Sequence, residues 1–245
     1  MTAQIVLITG ANKGLGFETA RILGRDGATV LIGARSAGAG EKAAAVLRGE
    51  GIDARFVRID VTVPESAEAA AERIGQEHGR LDVLVNNAGI TTTDASDPAT
   101  ITPPSRVAPD LVRAAFDTNV FGVVAVTNAM LPLLRRSPAG RIVNVSSHLS
   151  LLARVGDPSF HGPNLLPYNT SKSALNAVTV AYARELAGTP IKVNAAAPGF
   201  CATDLNGHTG VRPAAQGAAV IADVARLGAH GPTGALIDED GRIPW

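Results

Sequence analysis

Six short apolar runs recur along the chain, at residues 5–8, 29–32, 55–59, 83–85, 142–145 and 192–195. Most are near-continuous and rich in Val and Ile, the composition of strands buried on both faces. Segments of helical pattern lie between them. Thr62-Val63-Pro64-Glu65 offers a cap, a first-turn proline and a capping-box glutamate for a helix running to about residue 78. Residues 106–136 and 166–187 are long enough for full helices. This alternation predicts an α/β fold: a doubly wound Rossmann-type parallel sheet of about seven strands with helices on both faces. No Pro/Gly/Ser-rich linker divides the chain, so residues 1–245 are expected to form a single domain. The least regular stretches are 91–109, 149–167 and 207–213. All three follow the expected C-terminal ends of strands, where an open α/β sheet binds its ligands.

The first run ends in Thr9-Gly10-Ala11-Asn12-Lys13-Gly14-Leu15-Gly16, and a helical pattern follows. Gly10 permits a tight turn, while Gly14 and Gly16 let backbone approach a pyrophosphate and let the helix pack on the strand. Free N–H groups and the dipole at the helix start attract the anion. The spacing is GxxxGxG rather than GxGxxG, and the bland alternative is a glycine turn with no ligand. Two basic residues sharpen the reading. Lys13 lies inside the turn, and Arg35 lies just past the second strand, where an NAD site would carry an acidic residue. An arginine there accommodates a 2′-phosphate, so the expectation is NADP(H), against the alternative of two solvated surface charges.

Tyr168-Asn169-Thr170-Ser171-Lys172 opens an expected helix. Residues four apart share a helix face, so phenol and ammonium can meet. A nearby cation lowers a tyrosine pKa and makes the phenol a usable acid near neutrality. Alone, YxxxK reads equally as a half-buried Tyr beside a Lys that snorkels to solvent. The motif has company, however. Asn86-Asn87-Ala88-Gly89 follows the fourth run, Ser146-Ser147 the fifth, and Pro198-Gly199 the sixth.

With these motifs in this order over nearly its whole length, the chain resembles the short-chain dehydrogenase/reductase family. TGANKGLGFE, PGFCATDL and Trp245 make it most like the NADPH-dependent carbonyl reductase branch. The resemblance implies that Ser147, a better match than Ser146, hydrogen-bonds the substrate carbonyl. It implies that Tyr168 donates the proton, that Lys172 holds the nicotinamide ribose and tunes Tyr168, and that Asn119 supports a proton-relaying water. Asp60 and Val61 would border the adenine, and Asn87, Ala88 and Gly89 would line the cofactor. Pro198, Gly199 and Thr203 would meet its nicotinamide end. The implied reaction is NADPH-dependent reduction of a ketone, aldehyde or quinone to the alcohol. The alternatives are an NADP-dependent alcohol dehydrogenase working oxidatively and a non-catalytic nucleotide-binding regulator.

Ser147 and Tyr168 are 21 residues apart, longer than the common family spacing. Monomeric carbonyl reductases also carry an insertion here, so a monomer is favoured over a homodimer or homotetramer. His148, Asp157, Phe160, His161 and Leu165 are candidates for the substrate mouth, with a plain solvated loop as the alternative. The chain carries 22 basic and 22 acidic residues, and this balance gives no bulk attraction to nucleic acid or to an anionic membrane. The one cysteine, Cys201, excludes an intramolecular disulfide and is expected to be buried and inert. The five histidines show no metal-ligand spacing. The reading finds neither a signal-peptide pattern nor an apolar run of transmembrane length, and the expected location is cytoplasmic.

Overall fold

In the computed structural model, residues 3–91 and 101–245 are described. Residues 92–100, about half of the first irregular stretch, lie outside them. All six apolar runs form strands: β1 (Ile5–Thr9), β2 (Thr29–Ala34), β3 (Ala54–Arg58), β4 (Val83–Asn86), β5 (Arg141–Val145) and β6 (Lys192–Ala196). Two more, β7 (Leu236–Asp238) and β8 (Gly241–Ile243), bring the sheet to eight strands rather than about seven. Each has three residues and is mostly half-exposed, too short to leave a hydrophobic pattern. The order is β3-β2-β1-β4-β5-β6-β7-β8, parallel except for β8, which folds back against β7.

Side chains alternate across the sheet, as the strand period of two requires. Val6, Ile8, Val30 and Ile32 pack on one face against helices α1 (Gly14–Arg25), α2 (Ala37–Gly49) and α8 (Ala214–Ala225). Ile5, Leu7, Leu31 and Leu84 pack on the other against α3 (Pro64–His78), α5 (Gly122–Leu134) and α7 (Leu166–Glu185). Both faces are therefore dry, which explains the near-continuous apolar runs.

Three local features differ from expectation. Pro64 does open α3, but its N-cap is Val63, which offers no side-chain hydrogen bond. Thr62 instead donates its hydroxyl to Asp60 Oδ1 at 2.7 Å, so no capping box forms. The long helical run begins as α4 (Pro109–Phe116), passes through a π-helical turn (Asp117–Phe121) and continues as α5. That run, Pro109–Leu134, is long and apolar enough by length and composition to cross a bilayer, which the sequence reading did not single out. Here its apolar side packs in protein, α4 on α7 and α5 on α3. Finally, the segment before Tyr168 is not wholly irregular. It holds a 3-10 turn (His148–Ser150) and α6 (Leu152–Val155).

Candidate active site

β1 has β2 on one side and β4 on the other, so the chain order reverses there and a crevice opens at the C-terminal ends of β1 and β4. The glycine turn and the Asn87–Gly89 turn meet in that crevice. Thr9 Oγ1 accepts from both Asn87 N and Ala88 N at 3.0 Å, and Asn87 Nδ2 donates to Thr9 O at 2.9 Å and Gly10 O at 3.2 Å. Gly10 has φ +64°, and a Cβ on it would sit 3.0 Å from Ala88 Cα. A Cβ on Gly16 would sit 2.4 Å from Asn87 Nδ2. Gly14 faces Thr203, and Leu15 packs on the core beside α8. The N-cap of α1, Lys13, caps with no side-chain bond, and its first turn has no acidic residue. The first N–H groups of α1 have no partner within the helix. This is a cradle for an anion, and it fits a dinucleotide pyrophosphate.

The two basic residues differ. Arg35 is exposed, and among the described residues no hydrogen bond or ion pair holds it. Lys13 is committed elsewhere: its ammonium lies 2.6 Å from Asp204 Oδ2, across the crevice on the loop after β6. His208 holds the other oxygen of Asp204 at 2.8 Å. Asp60 shapes its own turn, its Oδ1 accepting from Thr62 N at 3.1 Å. Val61 lines a surface hollow of about 150 Å³ with Asp117 and Phe121.

The next strand ends carry the candidate catalytic groups. Ser146 points into the core and donates to Asn176 Oδ1 at 2.6 Å, whereas Ser147 is half-buried and its hydroxyl lowers the pKa of the Tyr168 phenol. Lys172 does not snorkel. It is 4% exposed, its Nζ donates to Val145 O at 2.7 Å, and it lies 5.6 Å from the Tyr168 ring centroid. Gly89 backs onto both Asn119 and Lys172. Asn119, fully buried in the π-turn, accepts from Ile90 N at 2.9 Å and donates to Ile90 O at 3.0 Å and Ser171 Oγ at 2.9 Å. Its side chain thus ties the segment after β4 to α7.

Burial sets the direction of both shifts in the pair. Burial pushes Tyr168 up to about 12, against a smaller lowering by the Ser147 hydrogen bond. Burial pushes Lys172 down to about 8. The ammonium is directed to a backbone carbonyl, and desolvation sets the direction of its shift.

Pro198 is buried, and its carbonyl accepts from the buried Cys201 Sγ at 3.3 Å, while burial raises the Cys201 thiol. Of the residues expected at the mouth, Leu165 is buried and Asp157 turns onto Ser159. Phe160 lies under Arg154, His161 is exposed, and His148 reaches Asp238 on β7 at 2.9 Å. The sequence reading missed Thr9, Ser171, Asn176 and Asp238. Thr9 opens the Thr9-Gly10-Ala11-Asn12 segment of the glycine turn and could have been found there. The other three are common polar residues whose partners lie far off in sequence.

Residues 4–212 match the family model described as short chain dehydrogenase. The chain is 40% identical to a short-chain dehydrogenase, anuI, of Penicillium roqueforti, over 99% of this chain and 97% of that one. It is 31% identical to carbonyl reductase [NADPH] 1 of Rattus norvegicus, over 98% of each. Among solved structures, salutaridine reductase from Papaver somniferum superposes with a TM-score of 0.83 at 27% identity, covering 95% of this chain and 99% of that one.

Proposed function

The chain belongs to the short-chain dehydrogenase family of oxidoreductases, which bind nicotinamide coenzymes, and from that we propose that it reduces a ketone, aldehyde or quinone carbonyl to the alcohol with NADPH. The observation that carries the reading is the Ser147–Tyr168–Lys172 group at the crevice. Its phenol carries its proton at neutral pH and stands beside Ser147 and a buried ammonium. Placed at the crevice, it can pass that proton to a substrate oxygen.

In the proposed reaction the Gly10–Gly16 turn and the uncapped start of α1 hold the pyrophosphate, Arg35 meets the 2′-phosphate and Lys172 holds the nicotinamide ribose. When bound, the reduced nicotinamide supplies the hydride. Ser147 and Tyr168 donate hydrogen bonds to the substrate oxygen, where negative charge develops. Tyr168 then gives its proton to that oxygen, leaving a phenolate and the alcohol. Asn119 keeps Gly89 and Ile90 against α7, so the floor of the site stays fixed.

Tyr168→Phe is expected to abolish ketone-dependent NADPH oxidation while leaving NADPH binding within about twofold, a shift well below one hydrogen bond. Retained turnover would remove Tyr168 as the acid. Arg35, which has no partner among the described residues, carries the coenzyme preference. Arg35→Asp is expected to weaken NADPH relative to NADH by about tenfold or more, the scale of one charge-assisted hydrogen bond. Competitive titration of both coenzymes checks this, and an unchanged ratio would make Arg35 a mere surface charge.

A further inference from the structure

The turn between β7 and β8 carries three consecutive acids, Asp238, Glu239 and Asp240, before Gly241 at φ +110°. Two of them reach different loops. Asp238 Oδ2 accepts from His148 Nε2 at 2.9 Å, and both side chains are largely buried. His148 directly follows Ser147, and it opens the 3-10 turn whose N-cap is Ser147. The Ser147 hydroxyl accepts from Leu149 N at 3.1 Å within that turn. Glu239 pairs with the guanidinium of Arg212. Arg212 belongs to the loop after β6: its N donates to Phe200 O at 3.1 Å, and its O accepts from Ala202 N at 2.8 Å. Its guanidinium lies against Gly199, where a Cβ would come within 2.9 Å of Nη1. The turn also braces itself, Asp240 N donating to Asp238 Oδ1 at 3.0 Å.

We propose that this acidic hairpin turn is a positioning element of the active site, with Asp238 setting the turn that carries Ser147 and Glu239, through Arg212, setting the loop at Gly199. Ser147 and Gly199 follow the adjacent parallel strands β5 and β6, so both loops leave the sheet at the same end. A single rigid turn holding one residue of each fixes their separation. Catalytic groups misplaced by about 1 Å lose large rate factors, so a brace of this kind acts on kcat. None of the four side chains touches the reacting atoms in this account. They are positioning residues, and the hairpin is otherwise only the edge of the sheet.

The inference rests on the proposed role of Ser147, so its test is run beside Tyr168→Phe. The full-length enzyme is assayed with NADPH and a ketone for kcat and KM, with NADPH affinity measured by titration and the melting temperature by scanning calorimetry. His148→Leu keeps the bulk of the ring and removes the hydrogen bond to Asp238, whereas His148→Gln retains a donor. The expected result is a fall in kcat of about tenfold for Leu, equivalent to about 1.4 kcal/mol, with Gln recovering most of it. Asp238→Asn and Glu239→Gln keep hydrogen-bonding atoms and are expected to lie between wild type and Leu. NADPH affinity stays within about twofold throughout, below the scale of one lost hydrogen bond. Equal kcat for His148→Leu and His148→Gln, or losses of kcat that follow the melting temperature alone, would overturn the brace. If Tyr168→Phe retains full turnover, the reading of the site fails instead. If Tyr168→Phe is inactive while the hairpin variants match wild type, only the brace fails.

Discussion

At the scale of single residues, burial decides the charge states in the site. Lys172 is sequestered beneath Tyr168, with Val145 O as its hydrogen-bond partner. One carbonyl does not replace a hydration shell, and the pKa falls from its ordinary 10.5 to about 8. The consequence for stability has a definite sign. Below about pH 8 the folded protein bears the full cost of a buried ammonium. Between about 8 and about 10.5 the folded state has released that proton while the unfolded chain still holds it, so stability rises with pH. Tyr168 acts oppositely, but only between about 10 and about 12. Urea denaturation of the coenzyme-free protein should therefore show wild type gaining on Lys172→Met from pH 8 to 10, by at most about 1.4 kcal/mol per pH unit. A difference that stays flat over that range would show that Lys172 keeps its ordinary pKa. YxxxK in sequence gave the partners and their helical spacing; it did not give the desolvation that sets their protonation.

At the scale of elements, the glycine turn is a contact surface as much as a phosphate cradle. Gly10 combines φ +64° with a 3.0 Å approach to Ala88 Cα, so an alanine there is strained in backbone and crowded by backbone at once. Gly10→Ala is expected to cost about 1–3 kcal/mol of stability and to weaken coenzyme binding together, because the same turn serves both. Calorimetry and NADPH titration measure the two effects, and unaltered binding would separate the turn from the coenzyme. The GxxxGxG pattern announced this turn plainly. The last hairpin announced nothing, since three-residue strands with half-exposed side chains carry no period. Its acids read as ordinary surface charge until His148 and Arg212 are seen opposite them.

At the scale of the whole molecule, a buried polar chain runs through the sheet to the helices on one face. Asn86 and Asn144 stand opposite each other in register on β4 and β5. Asn86 Nδ2 donates to Asn144 Oδ1 at 2.9 Å and to Thr127 Oγ1 on α5 at 3.1 Å, and Asn144 Nδ2 donates to Thr179 Oγ1 on α7 at 2.9 Å. Ser146, Asn176 and Ser150 form a second buried set nearer the site. One member of the first set, Asn86 Oδ1, is buried without a hydrogen-bond partner, so the network already carries a cost. Asn144→Leu removes one partner each from Asn86, which keeps Thr127, and Thr179, which keeps Leu175 O, and is expected to cost about 1–3 kcal/mol. Equilibrium urea unfolding checks it, and a neutral result would mean that the core repacks around the leucine.

The sequence by itself determined the first six strands, the doubly wound fold class and the positions of the glycine turn, Ser147, Tyr168 and Lys172. These depend on short-range patterns: runs of Val and Ile for strands dry on both faces, glycines where Cβ atoms do not fit, and a spacing of four on one helix. Only the tertiary structure decided which charges are free and which are held. Lys13 is bound to Asp204, Arg35 is left open, Lys172 is buried rather than exposed, and the two acids of the final turn grip the loops after β5 and β6. Partners such as Lys13 and Asp204, 191 residues apart, meet only because the strands that precede them, β1 and β6, end on the same side of the sheet. No local pattern encodes that convergence, since solvation and pairing energies depend on the neighbours that the completed fold supplies.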